Sequence, residues 1–405
     1  MIFNRNQTAF PTMLHREIYM SALRLIPTEV SLAEIKEKDP ELAESGRQYH
    51  AFTVALYADM YEHPEDYGMN PGAYEAYTKG RKYNAAKRYD RNKAKIAADR
   101  AGAELGCYRG ILNRIGSLCT VEDGKCMLSA EAFDTLKRYT FLSKRERENA
   151  IYIDTVFAAF ARNTLTFVPQ SDGRVEVRCE KYPKMFDSLS RLSKAVDETV
   201  KHPLSAKLKY YFCQNTATLD FRQIFENYHP TYEDYVRFLP DEAFAVITAV
   251  NKLAKEYKLK MRLWQPYMII YEYKKKGVIT VWAHDQWPIE PAGKQKEWVR
   301  CPIVVIHGSS SANYLQSVLD QGDAFLKQFQ KHLNYCTCCT PPHCSPEVPR
   351  SNLFGRNVRI CGEPAAVFKN PKISDLDLMH QFFKLKIKDI GHNKMKKGGE
   401  NHELI

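Results

Sequence analysis

The sequence predicts an α+β fold, because two β-hairpin signals occur far apart in the chain and each is flanked by segments of helical periodicity. Of the 405 residues, 44% are hydrophobic and 26% are charged, which is typical of a globular chain with two or three domains. That composition excludes collagen, a fully disordered chain and a polytopic membrane protein.

Residues 1–125 predict a helical, basic N-terminal region. Helical spacing of apolar residues predicts a helix over 48–61. Thr28, with Ser31 and Glu34, predicts a further helix start, and Ser31-Leu-Ala-Glu34 has the spacing of a capping box. Over 73–106 the residues are mainly Ala, Lys, Arg and Tyr, with only a narrow apolar stripe. We therefore expect either one long helix whose surface is largely solvated or a pair of helices split at Gly80.

Residues 126–235 predict a first α+β unit built around a β-hairpin. Two alternating runs flank Asp172-Gly173, where glycine readily adopts the positive φ of a tight turn. A helix is expected before the hairpin from Ser129 to Phe141, and an amphipathic helix after it from Pro183 to Val200. The side chains of this second helix that are expected to face the core are Met185, Phe186, Leu189, Leu192 and Val196.

Residues 236–335 predict a second unit with the same order of helix, hairpin and helix. Its strands are rich in β-branched and aromatic residues, and a Lys-Lys-Lys-Gly turn joins the hairpin. Pro302 predicts an edge or bulged position for its strand, because proline has no N–H to donate within a sheet. The expected elements are a helix from Pro240, strands over Tyr267–Tyr273, Val278–Trp282 and Trp298–Ile306, and a helix over Asn313–Leu333.

Residues 336–405 predict a cysteine-rich, zinc-like element followed by a helix and a basic tail. Cys336 and Cys339 have the C-x-x-C spacing with which two thiolates reach one tetrahedral ion. A structural zinc site is expected, with the ligands Cys336, Cys339, Cys344 and Cys361. Cys338 and His343 are competing ligands, and the alternatives are a loop of reduced thiols that binds nothing and a redox or iron–sulfur centre.

Residues 76–117 carry eleven Lys/Arg and three Asp/Glu, a net charge of +8 out of the +11 of the whole chain. Tyrosines are interleaved with these cations. Because cations neutralise phosphates and aromatic rings stack on bases, residues 79–100 predict contact with nucleic acid. The expected contact residues are Arg81, Lys82, Lys87, Arg88 and Arg91.

Two other interpretations of this basic segment stay open. One is a solvated helix whose charges only maintain solubility, and the other is a segment that docks on an acidic protein or a membrane surface. A further net charge of +3 comes from residues 384–405, and the remainder of the chain sums to zero. The charge pattern thus predicts a near-neutral α+β body with a basic N-terminal segment and a basic tail.

Four tryptophans lie within 35 residues in the second unit. Aromatic walls suit a small-molecule pocket, for which the expected residues are Trp264, Trp282, His284 and Trp298. The alternative is that the tryptophans pack in the core. In the same unit, His307-Gly-Ser-Ser-Ser311 predicts either a helix N-cap at Ser310 or Ser311, or an anion site formed by backbone N–H groups.

Several blocks of the sequence resemble an uncharacterised protein family of clostridia-type bacteria. They are Lys181-Tyr-Pro-Lys-Met-Phe-Asp187, Phe221-Arg-Gln-Ile224 with Pro230–Asp241, the cysteine cluster, and Val358-Arg-Ile-Cys-Gly362 followed by Asn370-Pro371. The resemblance covers residues 140–390 and implies cohesion of that region and a bacterial origin, but it implies no activity. The first 120 residues lie outside it.

The sequence therefore favours a non-enzymatic binding or regulatory protein with a structural zinc site and with nucleic acid as its macromolecular partner. The runner-up is an enzyme or small-molecule-binding protein that uses the Trp-rich second unit. The sequence has no G-x-S-x-G, P-loop or H-E-x-x-H motif. It shows no signal peptide or membrane-spanning apolar run, and its scattered cysteines are typical of reduced thiols, so we expect a cytoplasmic protein.

Overall fold

The computed structural model describes residues 11–22, 28–70, 104–138, 151–197, 219–225, 228–237, 239–264, 267–289, 297–309, 311–332, 350–353, 356–359 and 365–398. These residues separate into two compact units, of which the first ends at His229 and the second begins at Pro230. Both units contain helices and strands, which confirms the α+β class. The division at residues 126, 236 and 336 stays a prediction.

The first unit is built mainly from helices. They are α1 (Met13–Ala22), α2 (Thr28–Lys36), α3 (Pro40–Glu62), α4 (104–118), α5 (Ala130–Lys137), α6 (Ile153–Arg162) and α7 (Phe186–Asp197). Helix α3 begins where Asp39 accepts the Leu42 N–H at 3.0 Å, while Pro40 occupies the first turn, where no N–H is needed. Apolar side chains from these helices share one core, in which the Tyr108 and Phe160 rings lie 5.9 Å apart.

The described strands of the first unit form a four-stranded antiparallel sheet in the order β1-β2-β4-β3. They are β1 (Thr120–Glu122), β2 (Lys125–Leu128), β3 (Leu165–Pro169) and β4 (Val175–Cys179). The predicted hairpin around Asp172-Gly173 is confirmed as β3–β4, with Gly173 at a φ of 81°. The β1–β2 hairpin is not predicted by the sequence, because its strands are too short to show a period of two.

The helices predicted on either side of this hairpin are confirmed, with shorter bounds. Helix α5 begins after Ser129, whose hydroxyl accepts the Ala132 N–H at 3.1 Å. Helix α7 ends at Asp197 within the described residues. The five side chains predicted to face the core from α7 and its first turn are all buried: Met185, Phe186, Leu189, Leu192 and Val196.

The helix start predicted at Thr28, Ser31 and Glu34 is confirmed at Thr28, where α2 begins. Ser31 lies fully buried inside this helix, so it is not the N-cap that its capping-box spacing predicts. Of the segment predicted as helical over 73–106, residues 104–106 are described and belong to α4, in which Glu104 and Leu105 are buried. The largely solvated surface of the remainder stays a prediction. Residues 71–103 lie outside the described part of the chain.

The second unit contains a five-stranded antiparallel sheet in the order β11-β8-β7-β6-β5. Its strands are β5 (Lys260–Leu263), β6 (Met268–Tyr273), β7 (Lys276–Ile289), β8 (Glu297–His307) and β11 (Ala365–Lys369). A separate hairpin pairs β9 (Arg350–Leu353) with β10 (Arg356–Arg359). The helices are α8 (Tyr232–Val236), α9 (Asp241–Glu256), α10 (Ala312–Leu319), α11 (Asp323–His332) and α12 (Leu376–Gly398).

Pro302 occupies a bulged position and not an edge. Strand β8 lies between β7 and β11, so the edge alternative is wrong. The pairing of β7 with β8 passes from Trp282↔Ile303 to Asp285↔Cys301, so two residues of β7 oppose the single Pro302. This bulge removes the need for a ladder hydrogen bond from a residue that has no N–H.

The single helix predicted over 313–333 is two helices, α10 and α11. Gly322 lies between them with a φ of 84°, a left-handed conformation that ends α10 and that side-chain-bearing residues rarely adopt. The helix predicted from Pro240 and the hairpin of β6 and β7 are confirmed. Among the helices of the described ranges, none combines the length and the apolar character needed to cross a membrane.

Candidate functional site

One face of the five-stranded sheet is the core of the second unit. The Tyr271 hydroxyl donates to the Asn251 side chain of α9 at 3.1 Å, and the His332 ring of α11 stacks on Phe368 at 4.2 Å. The Phe382 ring of α12 lies 6.0 Å from the same phenylalanine. Seven side chains of this face are no more than 2% exposed: Ile269, Tyr271, Ile279, Val281, Val304, Ile306 and Phe368.

The strand register places two of the four tryptophans on the opposite face. The backbone N–H of Trp264 donates to the Met268 carbonyl at 2.9 Å, and Met268 is paired with Trp282 across β6 and β7. Directly opposed residues of neighbouring strands point to the same face of a sheet. One row across the sheet is therefore Trp264, Met268, Trp282, Ile303 and Lys369. The adjacent row is Arg262, Ile270, Thr280, Val305 and Val367.

We call these two rows, together with Lys260 and His307, the tryptophan face. Met268, Thr280 and Ile303 are buried at its centre, whereas both tryptophans and Val305 are half-buried. The face therefore differs from the core face in that some of its aromatic and aliphatic side chains are partly accessible to solvent. The His307 Nε2 and the Thr280 Oγ1 atoms lie 2.8 Å apart and add a polar pair.

Basic residues border the tryptophan face along β5 and the turn between β6 and β7. Residues 258–276 contain six Lys/Arg and one acid, Glu272, a net charge of +5. The Arg262 guanidinium lies 4.5 Å from the Trp264 ring and its Nη2 atom is 2.7 Å from the Glu272 carboxylate. We call the five exposed lysines here the basic edge: Lys258, Lys260, Lys274, Lys275 and Lys276.

The other two residues of the predicted pocket occupy different places on the sheet. His284 lies in the bulge opposite Pro302. Trp298 lies five residues before Ile303 on β8, roughly 16 Å along the strand, so it does not share the row of Trp264 and Trp282. A pocket formed by all four residues stays a prediction.

The predicted metal and nucleic-acid residues lie outside the described part of the chain. This holds for Cys336, Cys339, Cys344 and Cys361 and for Arg81, Lys82, Lys87, Arg88 and Arg91. Within the ranges that the structure describes, no group of three or more His, Cys, Asp or Glu side chains is placed to hold a metal ion. The zinc site and the basic-segment contact both stay predictions.

The loop over 307–311 is held by side chains of α12. The Ser311 hydroxyl accepts the Tyr314 N–H at 3.1 Å, which confirms the predicted N-cap, and it donates to the Asp389 carboxylate. The buried Lys386 ammonium donates to the Gly308 carbonyl. These contacts join Gly308, after the end of β8, and Ser311, at the start of α10, to α12.

A buried ion pair lies in the first unit. The Arg222 guanidinium donates to both oxygens of Asp220, at 2.9 and 2.8 Å, and to Glu34 at 3.1 Å. Arg222 is 3% exposed and Asp220 is fully buried. The Tyr228 ring lies 4.6 Å from the guanidinium and its hydroxyl donates to Asp220 at 3.2 Å. The network joins residues 219–228 to α2 and is structural.

A second polar network joins α3 to α6. The Tyr67 hydroxyl donates to Asp59 at 2.7 Å and accepts from the Asn163 amide at 2.7 Å, and Arg162 donates to both oxygens of Asp59 at 3.1 Å. Burial favours a raised pKa for Asp59, but the hydrogen bonds from Arg162 and Tyr67 outweigh it and lower that pKa. Burial and the bond to Asp59 raise the pKa of Tyr67, so this phenol is not activated as a base.

Comparison with family models, with curated proteins and with solved structures finds no match to this sequence. Sequence reasoning missed the basic edge because the charges of the remaining body were summed over a long window. The available signal was the alternation of Lys260, Arg262 and Trp264, which predicts that these residues lie on one face of a strand.

Proposed function

We propose that the protein is a non-enzymatic cytoplasmic binding protein that holds single-stranded nucleic acid on the tryptophan face. The observation that carries the proposal is the row containing half-exposed Trp264 and Trp282 beside the basic edge. Residues 79–100 would supply a second set of phosphate contacts, as their composition predicts. Duplex is disfavoured as the ligand because its bases are already stacked on one another and offer no free face to a tryptophan.

The two rings suit two bases of one strand. Trp264 and Trp282 belong to strands separated by β6, so their backbones lie about 10 Å apart across the sheet. Stacking of one base on an aromatic side chain contributes about 1–3 kcal/mol. The aliphatic side chains around the rings extend this apolar surface. Because every base can stack on an aromatic ring, we expect only a weak sequence preference.

The basic edge accounts for affinity and its dependence on salt. Each phosphate that a lysine neutralises releases condensed counterions, so the logarithm of the binding constant falls linearly with the logarithm of the salt concentration. The exposed ammonium groups of Lys260 and Lys274–Lys276 lie at the same end of the sheet as Arg262. A nucleic-acid strand that crosses the tryptophan face would therefore meet cations beside the first residue of β5.

The test is fluorescence anisotropy of a labelled 15-mer of oligo(dT) or oligo(U), with a duplex of equal length for comparison. The W264L/W282L variant, which removes both rings and keeps apolar side chains, is expected to bind at least about tenfold more weakly. The K260Q/K274Q/K275Q/K276Q variant is expected to show a shallower salt dependence. The matched control, K252Q/K255Q/K327Q/K331Q, removes four exposed charges from α9 and α11 and is expected to change little. Equal binding by all three variants would contradict the proposal.

The contribution of the basic segment is tested separately. The R81A/K82A/K87A/R88A/R91A variant is expected to bind the same oligonucleotides more weakly and with a reduced salt slope. Salt-independent binding, or binding unchanged by these five substitutions, would remove the segment from the interface and leave the tryptophan face as the sole candidate.

The second candidate function is recognition of a small aromatic molecule on the tryptophan face. The His307–Thr280 pair beside the tryptophan row favours it, because a few polar groups within an apolar surface give a small ligand its orientation. Such a ligand would quench tryptophan fluorescence independently of salt, and the K260Q/K274Q/K275Q/K276Q variant would bind it as the wild type does. Oligonucleotide binding with a steep salt dependence would oppose this candidate.

A structural zinc ion bound by Cys336, Cys339, Cys344 and Cys361 is the proposed cofactor. The support is the spacing of the first two cysteines and the concentration of ligand residues in one short segment. Elemental analysis of freshly purified protein is expected to give one zinc per chain, and the C339S/C361S variant is expected to lose it. Protein that carries no metal and has all clustered thiols open to titration would overturn the site.

A further inference from the structure

An open cavity of about 500 Å³ lies between α3, the β1–β2 hairpin and the start of α7, all within the first unit. Cavities of this volume accommodate small molecules. Gly124 of the hairpin turn and Lys184 belong to its lining, and both residues are exposed. A Cβ atom at Gly124 would meet no other atom within 4 Å, so this part of the lining borders free space. A ligand therefore reaches the cavity without any opening of the fold.

Hydrogen bonds hold the start of α7 against α3 and give the cavity a fixed floor. The Ser188 N–H donates to the Ser45 hydroxyl at 2.8 Å, and the Ser188 hydroxyl donates to the Leu42 carbonyl at 3.2 Å. The Lys184 N–H donates to the side-chain carbonyl of Gln48 at 2.8 Å. The chain from Lys184 to Ser188 therefore runs antiparallel to α3. Because the Ser45 hydroxyl accepts a hydrogen bond here, its own proton can be donated to a ligand in the cavity.

The carboxylates of the cavity lie toward the start of α3. Glu41 belongs to the first turn of α3 and Asp187 to the first turn of α7, and both line the cavity. The Arg191 guanidinium donates to Asp187 at 3.0 Å and lies 3.6 Å from Asp39, the N-cap of α3. Asp187 is thereby held beside the first turn of α3, where Glu41 also lies. This end of the cavity suits a positively charged group of a ligand.

Lys184 gives the other end of the cavity the opposite charge. Its main chain is bonded to Gln48, which lies seven residues after Glu41 on α3, or about 10 Å along the helix axis. Phe186 lies between the lysine and Asp187 in the chain and, with Val121 of β1, gives the cavity apolar walls. Phe186 is only 3% exposed, so its position is fixed by the core. The lining thus offers carboxylates at one end, an ammonium group at the other and apolar surface for the part of a ligand that joins them.

We propose that this cavity binds a short peptide with free ends and apolar side chains, at a site independent of the nucleic-acid proposal. The peptide's ammonium group binds Glu41 and Asp187, its carboxylate binds Lys184, and its side chains contact Val121 and Phe186. An extended chain spans about 3.3–3.6 Å per residue, so two or three residues span about 7–10 Å and match the distance between the charged ends. A single amino acid is too short to reach both ends.

The first experiment measures binding of Leu-Ala-Leu to the full chain by saturation-transfer NMR. Acetylation of the amino end or amidation of the carboxyl end removes one charge, and each change is expected to weaken binding about fivefold or more. Free leucine is expected to bind more weakly by at least the same factor, because it reaches one charged end only. Absence of Leu-Ala-Leu binding, or equal binding of the free, acetylated and amidated peptides, overturns the proposal.

The second experiment assigns each end of the peptide to its side chain. The E41Q variant is expected to weaken binding of Leu-Ala-Leu about fivefold and to leave binding of the acetylated peptide unchanged. The K184Q variant is expected to weaken binding of Leu-Ala-Leu by a similar factor and to leave binding of the amidated peptide unchanged. A general loss of structure would weaken every peptide alike. Binding of Leu-Ala-Leu by both variants as by the wild type overturns the assignment.

Two controls of the same chemistry lie near the cavity but outside its lining. Glu62 is exposed at the far end of α3, and Lys181 is exposed shortly before Lys184. The E62Q and K181Q variants are expected to bind Leu-Ala-Leu as the wild type does, and losses equal to those of E41Q and K184Q would overturn the proposal. The W264L/W282L variant is also expected to keep peptide binding, which separates this site from the tryptophan face. If a variant does not fold, the peptide series on the wild-type chain decides the proposal by itself.

Discussion

Arg222 shows how the first unit tolerates a charge in its interior. The Arg222→Ala variant would leave the fully buried Asp220 carboxylate without the guanidinium that donates hydrogen bonds to both of its oxygens. We expect the free energy of unfolding in urea to fall by about 3–5 kcal/mol. Arg138→Ala is the matched control, because it breaks an Arg–Asp pair with Asp134 that lies on the surface. Equal losses in the two variants would contradict a special role for burial.

The charged carboxylate of Asp59 stabilises the first unit, and this stabilisation is lost in acid. Its pKa is lowered in the folded protein, so the carboxylate stabilises the fold above the unfolded pKa, which is about 3.9. That contribution is lost as the pH falls through the folded pKa. We expect Asp59→Asn to be less stable than the wild type at neutral pH, and the difference to shrink below about pH 4. Urea unfolding between pH 2 and pH 7 measures it, and Asp134→Asn, at an exposed surface pair, serves as the control.

At the scale of elements, helices α4 and α7 make a close contact that only glycine permits. A Cβ atom at Gly116 would lie 2.5 Å from the Leu189 carbonyl oxygen and 2.4 Å from the Ser193 hydroxyl. Because the carbonyl belongs to the backbone of α7, one helix must shift. We expect Gly116→Ala to lower the free energy of unfolding by about 1–3 kcal/mol.

Gly106 in the same helix is the matched control. A Cβ atom there meets no other atom within 4 Å. Because alanine is the better helix former, Gly106→Ala is expected to raise stability by up to about 1 kcal/mol. Urea unfolding of both variants gives the comparison, and a loss of similar size in both would show that α4 is sensitive to any change and not to the contact with α7.

The elements that the sequence predicted best are those whose position is determined by residues next to each other in the chain. The β3–β4 turn contains a glycine with a positive φ, and α5 has its N-cap serine, so neighbouring residues alone determine both features. The spacing of Ser31 and Glu34 fits a capping box, but α2 begins one turn earlier at Thr28 and Ser31 is buried inside it, because spacing alone does not distinguish an N-cap from a serine within a helix. The tryptophan face could not be predicted, since its rows depend on which strands pair and in what register.

At the scale of the molecule, the two units can be followed by separate probes. All four tryptophans belong to the second unit, whereas Cys107, Cys119, Cys126 and Cys179 are buried in the first. Tryptophan fluorescence therefore reports on unfolding of the second unit and labelling of these thiols on the first. We expect Gly116→Ala to lower the urea midpoint of thiol labelling and to leave that of fluorescence unchanged. A parallel shift of both midpoints would show that the chain unfolds as one cooperative body.

The net charge of the whole molecule does not show where the charged residues are concentrated. A body that sums to zero still contains residues 258–276 with a net charge of +5 beside half-exposed aromatic rings. Summation over long windows averages such clusters away, whereas pairing of strands concentrates them at one end of a sheet. Net charge therefore indicates a class of partner at most, whereas the contact surface that we propose depends on tertiary structure.

The bulge opposite Pro302 has a consequence for how this chain can vary in evolution. From Met268 to Tyr271 the two faces of the sheet alternate residue by residue, so a one-codon deletion in this part of β6 would carry Ile269 to the tryptophan face and Met268 into the core. Homologues should accordingly tolerate exchanges of residue type in this stretch but not changes of length. At Ala283 and His284 the register has already absorbed one additional residue, and Val278 is a second additional residue, beside the pair of Tyr271 and Ile279. Insertions and deletions in the strands of this sheet are expected to concentrate at these two bulges.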